Sequence, residues 1–397
     1  MTSPTASAIK SGTTDQLRRD NLSAVLHLVH RHDALSRAEL TQLTRLNRST
    51  VGDLVAELAE LGLVEETAPV GAARAGRPSP VVRVGTSTVA IAINPEVDAV
   101  ILGMVGMGGH VLKRIRIETA SARTASEVVT LASAAVAGML AGVDDDVRVA
   151  GIAVAVPGQV RLADGMVREA THFGWADEPL AAMLEAATGK RVWAANAAVL
   201  GMRAESAFGA GRGIDDLVYF IGGASGIGGG VVSGGRLVTG AAGYAGEFGH
   251  TFVRSDGLAC YCGARGCLEA EVTQGALLSA VGLASADASE LADALAASRD
   301  PAVDALVRRD LGLLSIAVRN AVNVFNPSVM VLGGFLADLY RGASDGGEVD
   351  VLGPVVRSAR EGLQVRLAEL GPDQLLIGAA ELVFADLIAD PARAVLA

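Results

Sequence analysis

Near the N-terminus, Leu17, Leu22, Val25, Leu26 and Val29 recur at helical spacing and predict a helix from Thr14 with one apolar stripe. Ser36-Arg37-Ala38-Glu39 then reads as a capping box: the serine oxygen covers an orphan N–H while the glutamate reaches back to the cap. It opens a short helix carrying Leu40 and Leu43. After Thr44-Arg45-Leu46, Asn47 caps a third helix with Val51, Leu54, Val55, Leu58 and Leu61 inward, stopped at Gly62. A long helix followed by two short ones across a tight turn is helix-turn-helix organisation.

Leu63-Val64-Glu65-Glu66 and Val81-Val82-Arg83-Val84 alternate like the strands of a hairpin, with Arg74-Ala75-Gly76-Arg77-Pro78 between them. This predicts a winged helix-turn-helix over residues 14–86. Its candidate DNA contacts are Arg37, Arg48, Ser49, Thr50 and Asp53 around the recognition helix. Arg74 and Arg77 belong to a flexible wing tip, where an arginine can enter the electronegative minor groove.

From about Thr88 the pattern changes to buried strands and glycine turns. Strands are expected at 89–93, 99–105, 111–117, 147–156, 191–194, 217–221, 227–233 and 329–332. A helix is expected at 124–141 and further helices between the later strands, giving α/β layers. The expected division is a small lobe at 87–206, completed by a C-terminal helix at 379–397, and a large lobe at 207–378.

Composition sharpens this picture in three ways. The net charge of -11 is uneven: residues 1–90 carry ten Lys/Arg against nine Asp/Glu, so the acidity lies in the body. A near-neutral head on an acidic body suits a DNA reader whose remaining domain stays off DNA. No apolar run approaches the about 18 residues of a membrane span. Residues 1–13 are small and polar, without a signal pattern, which predicts a disordered tail on a cytoplasmic protein.

The three cysteines, Cys260, Cys262 and Cys267, fall within eight residues. Such a cluster points to metal ligation rather than a disulfide framework. With His250 they form a Cys₃His set, the closed tetrahedral shell of structural zinc. Glu247, His250 and Glu269 flank the same segment, and carboxylates with an imidazole on a rigid loop suit vicinal hydroxyls. Gly222–Gly230 is a glycine loop through which backbone N–H groups can approach an anion.

Together these segments resemble the ROK family (repressors, open reading frames and kinases) from about Asp15 to the C-terminus. The resemblance rests on Gly246-Glu247-Phe248-Gly249-His250 and on Cys260–Glu269. Val156–Val160, Phe173-Gly174-Trp175, Asn323–Pro327 and Gly333-Gly334 support it. Ser36–Leu40 and Gly76-Arg77-Pro78 are similar to the repressor branch. The resemblance implies an actin-like fold of two ribonuclease-H-like lobes, a sugar in the cleft touching Glu247, His250 and Glu269, and zinc on His250, Cys260, Cys262 and Cys267.

Departures from the kinase pattern imply a sensor without catalysis. The Asn-Asp-x-Asn stretch of kinases is read against Trp193-Ala194-Ala195-Asn196, which puts Ala194 at the general base. Such a base contributes ~10²–10⁴-fold. Trp193 then either stacks on a pyranose or fills the pocket, with Asn196 retained beside it. The first phosphate loop reads Asn94-Pro95-Glu96-Val97-Asp98, two acids where phosphates would lie.

The expected function is therefore a repressor of carbohydrate genes, a homodimer or homotetramer on a palindromic operator, released by a sugar or sugar derivative through a hinge near residues 85–90. Two alternatives stand beside it: a sugar kinase with a DNA-binding head, and a DNA-bound regulator answering to a protein.

Overall fold

The N-terminal stripe folds into α1 (Thr14–His32), followed by β1 (Ala34–Ser36), α2 (Arg37–Thr44), α3 (Arg48–Glu60), β2 (Val64–Thr67) and β3 (Val81–Val84). The structure is a computed structural model that describes residues 14–68, 79–119, 123–144, 146–343 and 350–392. The expected tail and the wing tip with Arg74 and Arg77 lie outside the described residues.

Local signals set these boundaries. The capping box at Ser36 and Glu39 is formed, and Asn47 Oδ1 accepts from Thr50 N–H to start α3. Arg45, at φ 59, terminates α2 in the left-handed region and makes the turn between the two short helices. Leu22, Val25, Leu26 and Val29 of α1 meet Leu40, Val51, Leu54, Val55 and Leu58 in a fully buried core. Leu17 does not join it: the residue is 57% exposed, on the first turn of α1. The wing is a three-stranded sheet in the order β1-β3-β2, and β1 was not expected from the pattern.

The remainder begins with β4 (Thr88–Pro95), β5 (Ala99–Gly106), β6 (Val111–Glu118), α4 (Ala125–Leu140) and β7 (Arg148–Val156). Next come β8 (Gln159–Arg161), β9 (Met166–Ala170), β10 (Trp175–Glu178), α5 (Leu180–Thr188), β11 (Val192–Asn196) and α6 (Ala197–Phe208). A second series follows: β12 (Leu217–Gly223), β13 (Gly226–Ser233), β14 (Arg236–Leu237), α7 (Leu268–Glu271), α8 (Gln274–Ala280), α9 (Leu291–Ala297) and α10 (Pro301–Phe325). It closes with β15 (Val329–Gly334), α11 (Phe335–Ala343), α12 (Arg357–Arg360), β16 (Gln364–Leu367) and α13 (Gln374–Ala389).

Two five-stranded sheets share one topology, β11-β7-β4-β5-β6 and β16-β15-β12-β13-β14. In each, the first strand is central, the next two continue to one side, and the fourth and fifth lie on the other. This repeat is the two-lobed, actin-like arrangement. β4 and β5 are buried along their whole length, as a sheet covered on both faces requires. On the second sheet, Ala198 and Met202 of α6 pack with Tyr219 and Val331 on one side. Leu314, Val318 and Phe335, from α10 and α11, pack with Phe220 and Leu332 on the other.

The chain divides into two compact units: Met1–Val89 with Asp145–Ala150 and Phe384–Ala397, and Ala90–Asp144 with Gly151–Val383. The first division falls at Val89/Ala90, both lobes belong to one unit, and the described residues from Phe384 group with the head. Their packing gives the reason: the Phe384 ring meets the fully buried His30 of α1 edge-on, at 5.7 Å between centroids. Within the other unit α13 is fastened at its start, where Tyr219 Oη donates to Gln374 Oε1 at 2.6 Å.

Candidate functional site

In the head, the start of α3 presents its polar face. Arg48, Ser49 and Asp53 are exposed and Thr50 is half-buried, while Val51, Leu54 and Val55 hold the opposite face in the core. Ser49 Oγ donates to Asn47 Oδ1 at 2.7 Å, so the hydroxyl helps order the cap. Asp53 lies further along α3, in an exposed hollow with Arg18, Glu57 and Glu60. Arg37 is otherwise engaged: its guanidinium grips the Glu66 carboxylate of β2 at 2.5 and 2.6 Å. This ion pair joins α2 to the wing, a use that its position at the start of α2 did not reveal.

In the two-lobed unit a cavity of about 580 Å³, counting its open mouth, lies where several strand ends converge. The β4–β5 turn brings Glu96, the end of β7 brings Pro157 and Gly158, and β11 ends there at Asn196. The β12–β13 turn adds Ser225 and Gly226; Glu247, Tyr261 and Glu269 complete the wall. Ligand sites at the carboxyl ends of strands are the rule in α/β folds.

Glu247 is held there by a close backbone approach. Gly246, at φ 102, would carry a Cβ only 2.5 Å from the Gly229 carbonyl of β13, so nothing larger fits. Burial pushes the Glu247 carboxyl above the usual carboxylate range; the His250 imidazole opposes this, and Glu269 and Glu169 reinforce it. Asn196 lines the cavity, but its amide serves the scaffold: Nδ2 donates to Gly158 O at 3.0 Å and Oδ1 accepts from Val199 N–H at 3.1 Å.

Two expected positions move. Trp193 is not among the residues lining the cavity; it packs over Gly151 of β7, with the Arg191 guanidinium 4.3 Å from its ring centroid. Ala194 is buried beneath the β8–β9 turn, close to Gly165. The reason is strand length: β11 runs on to Asn196, so the cavity begins there and the alanines on its wall are Ala197 and Ala198.

Beside the cavity, one ligand atom each from His250, Cys260, Cys262 and Cys267 gather within 4.8 Å of one another. His250 Nδ1 lies 3.6 Å from Cys260 Sγ, and Cys262 Sγ lies 3.7 Å from Cys267 Sγ. A tetrahedron with zinc–sulfur bonds of about 2.3 Å and a zinc–nitrogen bond of about 2.0–2.1 Å has edges of about 3.8 and 3.5 Å. The donor set thus fits a tetrahedral divalent cation. Burial pushes the bare Cys260 thiol up to about 12, so deprotonation at neutral pH calls for a cation.

The knuckle depends on Gly266, whose φ is 74 and whose Cβ would fall 1.8 Å from Arg254 O. Gly266→Ala is expected to destabilise the unit by about 2–4 kcal/mol in urea unfolding.

Tyr261 and His172 are functional candidates that sequence reasoning missed. Tyr261 Oη lies 3.2 Å from His250 Nε2, on the ring edge opposite the thiols, and the Tyr261 ring meets His172 edge-on at 5.1 Å. Burial, reinforced by Glu269 and Glu247, raises the Tyr261 phenol above its ordinary range. The sequence signal was slight: a tyrosine lying between two candidate ligands. The residue links the His/Cys cluster to the cavity wall, where a partner of this kind would fix the ring of a ligating histidine.

Residues 23–75 match the MarR family and residues 90–385 match the ROK family. A glucokinase of Thermotoga maritima is 33% identical over 64% of this chain and 81% of its own length. A xylose repressor of Caldicellulosiruptor bescii is 26% identical over 96% of this chain and 99% of its own. Among solved structures, a ROK transcriptional regulator described as a homolog of the Escherichia coli MLC protein superposes with a TM-score of 0.75. It is 23% identical and covers 96% of this chain and 100% of that one, a likeness of fold. A Streptomyces griseus ROK glucokinase crystallised with glucose and AMPPNP gives 0.60 at 28% identity, over 74% of this chain and 98% of that one. With a ROK match spanning both lobes, this chain belongs to the ROK family.

Proposed function

We propose that this chain is a DNA-binding transcriptional repressor of carbohydrate genes whose two-lobed unit senses a sugar without phosphorylating it. The observation that carries this reading is the exposed start of α3 on a MarR-like head, in the same chain as a ROK unit. The near full-length likeness to a xylose repressor supports it. Glu247 and Glu269 offer acceptors for vicinal hydroxyls. Ala197, beside Asn196 on the cavity wall, cannot accept a proton from a sugar hydroxyl, which supports a sensor over a kinase.

Zinc on His250, Cys260, Cys262 and Cys267 is structural in this reading. It locks the segment from which Tyr261 and Glu269 reach the cavity. Arg48, Ser49 and Thr50 read the major groove, Arg74 and Arg77 act from the wing, and two copies of the chain grip a palindrome. The test is recovery of genomic fragments on the full-length protein. A shared palindrome beside sugar-uptake genes is expected; folded, zinc-loaded protein that enriches nothing overturns the reading.

A further inference from the structure

The turn between β12 and β13, flanked by Gly223 and Gly226, carries a serine on which a carboxyl of the same chain is docked. Ser225 Oγ, at the tip of that turn, donates to Glu96 Oε2 at 2.7 Å. Asn94 Nδ2 donates to Glu96 Oε1 at 3.1 Å, so both oxygens are engaged. The Glu96 backbone is fixed as well, its N–H donating to Ala99 O at 2.7 Å in the β4–β5 turn. These contacts join turns 129 positions apart in sequence, one from each sheet, across the cavity.

The surroundings are hostile to a second anion. Glu96, Glu247 and Glu269 all line the cavity, and among the described residues lining it there is no Lys, Arg or His. Arg116, a neighbouring guanidinium, is held by Asp98 at 2.9 Å. The buried Asn94 Oδ1 adds an acceptor without a donor among the described atoms. Burial raises the Glu96 carboxyl, and the hydrogen bonds from Ser225 and Asn94 oppose that rise.

We propose that Glu96 sets the ligand class of this cavity: its carboxyl takes the place of a phosphate on the glycine turn, so the cavity admits an uncharged polyol and excludes phosphorylated sugars and nucleotides. The inference deepens the sugar-sensor reading and rests on it for the identity of the admitted ligand. Glu96 acts as an internal occupant, competing at the effective concentration that its tethering in the same chain provides. It also holds the two turns together, so the cavity wall is preorganised before a ligand arrives.

The test is calorimetric titration of the full-length protein with xylose, glucose, glucose 6-phosphate and magnesium tripolyphosphate. Wild type is compared with Glu96→Gly, Glu96→Ser and Glu96→Gln. Removing the carboxyl in Glu96→Gly or Glu96→Ser is expected to raise affinity for a phosphate-bearing probe at least tenfold. Glu96→Gln, which keeps the size and the tie to Ser225, is expected to gain less than threefold. Two small replacements are used so that a folding failure of one leaves the other to decide.

No gain in whichever of them folds, or micromolar binding of either phosphate probe by wild type, overturns the proposal. A gain in phosphate binding while wild type binds neither sugar leaves the role of Glu96 standing and removes the sugar reading. Sugar binding by wild type with no phosphate gain does the reverse.

Discussion

Cys260→Ser is expected to lower zinc content from about one per chain to near zero and to cause a large loss of stability in the two-lobed unit. Cys260 is buried, and its sulfur lies close to His250 Nδ1. Its removal leaves three ligands, and serine does not supply a thiolate at neutral pH. Structural zinc contributes roughly 10–16 kcal/mol of apparent binding energy in small fingers. Losing even a part of that is a large fraction of a domain's stability of about 5–15 kcal/mol. Elemental analysis and thermal melting read the two effects. Acidification should act in the same direction, because bound thiolates must take up protons to leave the metal. Wild-type protein purified without chelator but holding well below one zinc per chain would contradict the assignment.

Arg48→Ala is expected to weaken operator binding by about ten- to a hundredfold at fixed salt, corresponding to ~1–3 kcal/mol for a base-reading arginine. Arg48 is the first residue of α3, exposed, and directly follows the Asn47 cap. Arg37→Ala should behave differently. Its guanidinium holds Glu66, so the loss should appear as a lower melting temperature of the head, with DNA affinity falling through loosened wing geometry. Anisotropy titrations with melting curves on both variants separate the roles. An Arg48→Ala protein that binds with wild-type affinity would remove α3 from the DNA interface.

Much of this was legible locally. Ser36 and Glu39, Asn47, and the Cys260–Cys267 spacing are signals carried within a few residues, and each reappears in the structure as a cap or a cluster. The long buried strands were legible for the same reason, since β4, β5 and β7 are continuous apolar runs. The small sheet β10-β9-β8 escaped because its strands are short and its exposed positions are polar. Leu17 fits the α1 stripe in sequence, yet it lies on the first turn, beyond the reach of the core.

The site was less legible because its geometry is set by distant partners. Whether the cavity begins at Trp193 or at Asn196 depends on how far β11 extends beside β7, through parallel pairing up to Asn196 with Val156. Arg37 reads in sequence as a DNA-contact candidate, and its tie to Glu66, 29 residues away, becomes visible only in the fold. Glu96 could be read as an acid in a phosphate loop, but its docking on Ser225 required the fold. Tyr261 gained a role only when the cysteines on either side turned it toward His250.

The central claim, DNA binding released by a sugar, is tested most directly by anisotropy of a labelled operator, recovered from the genomic fragments, on full-length zinc-loaded protein. The titration is run with and without unphosphorylated pentoses and hexoses. The expected result is tight, palindrome-dependent binding that one of these sugars weakens at least tenfold. Binding that no sugar alters, or a protein that phosphorylates a sugar while ignoring the palindrome, would contradict it.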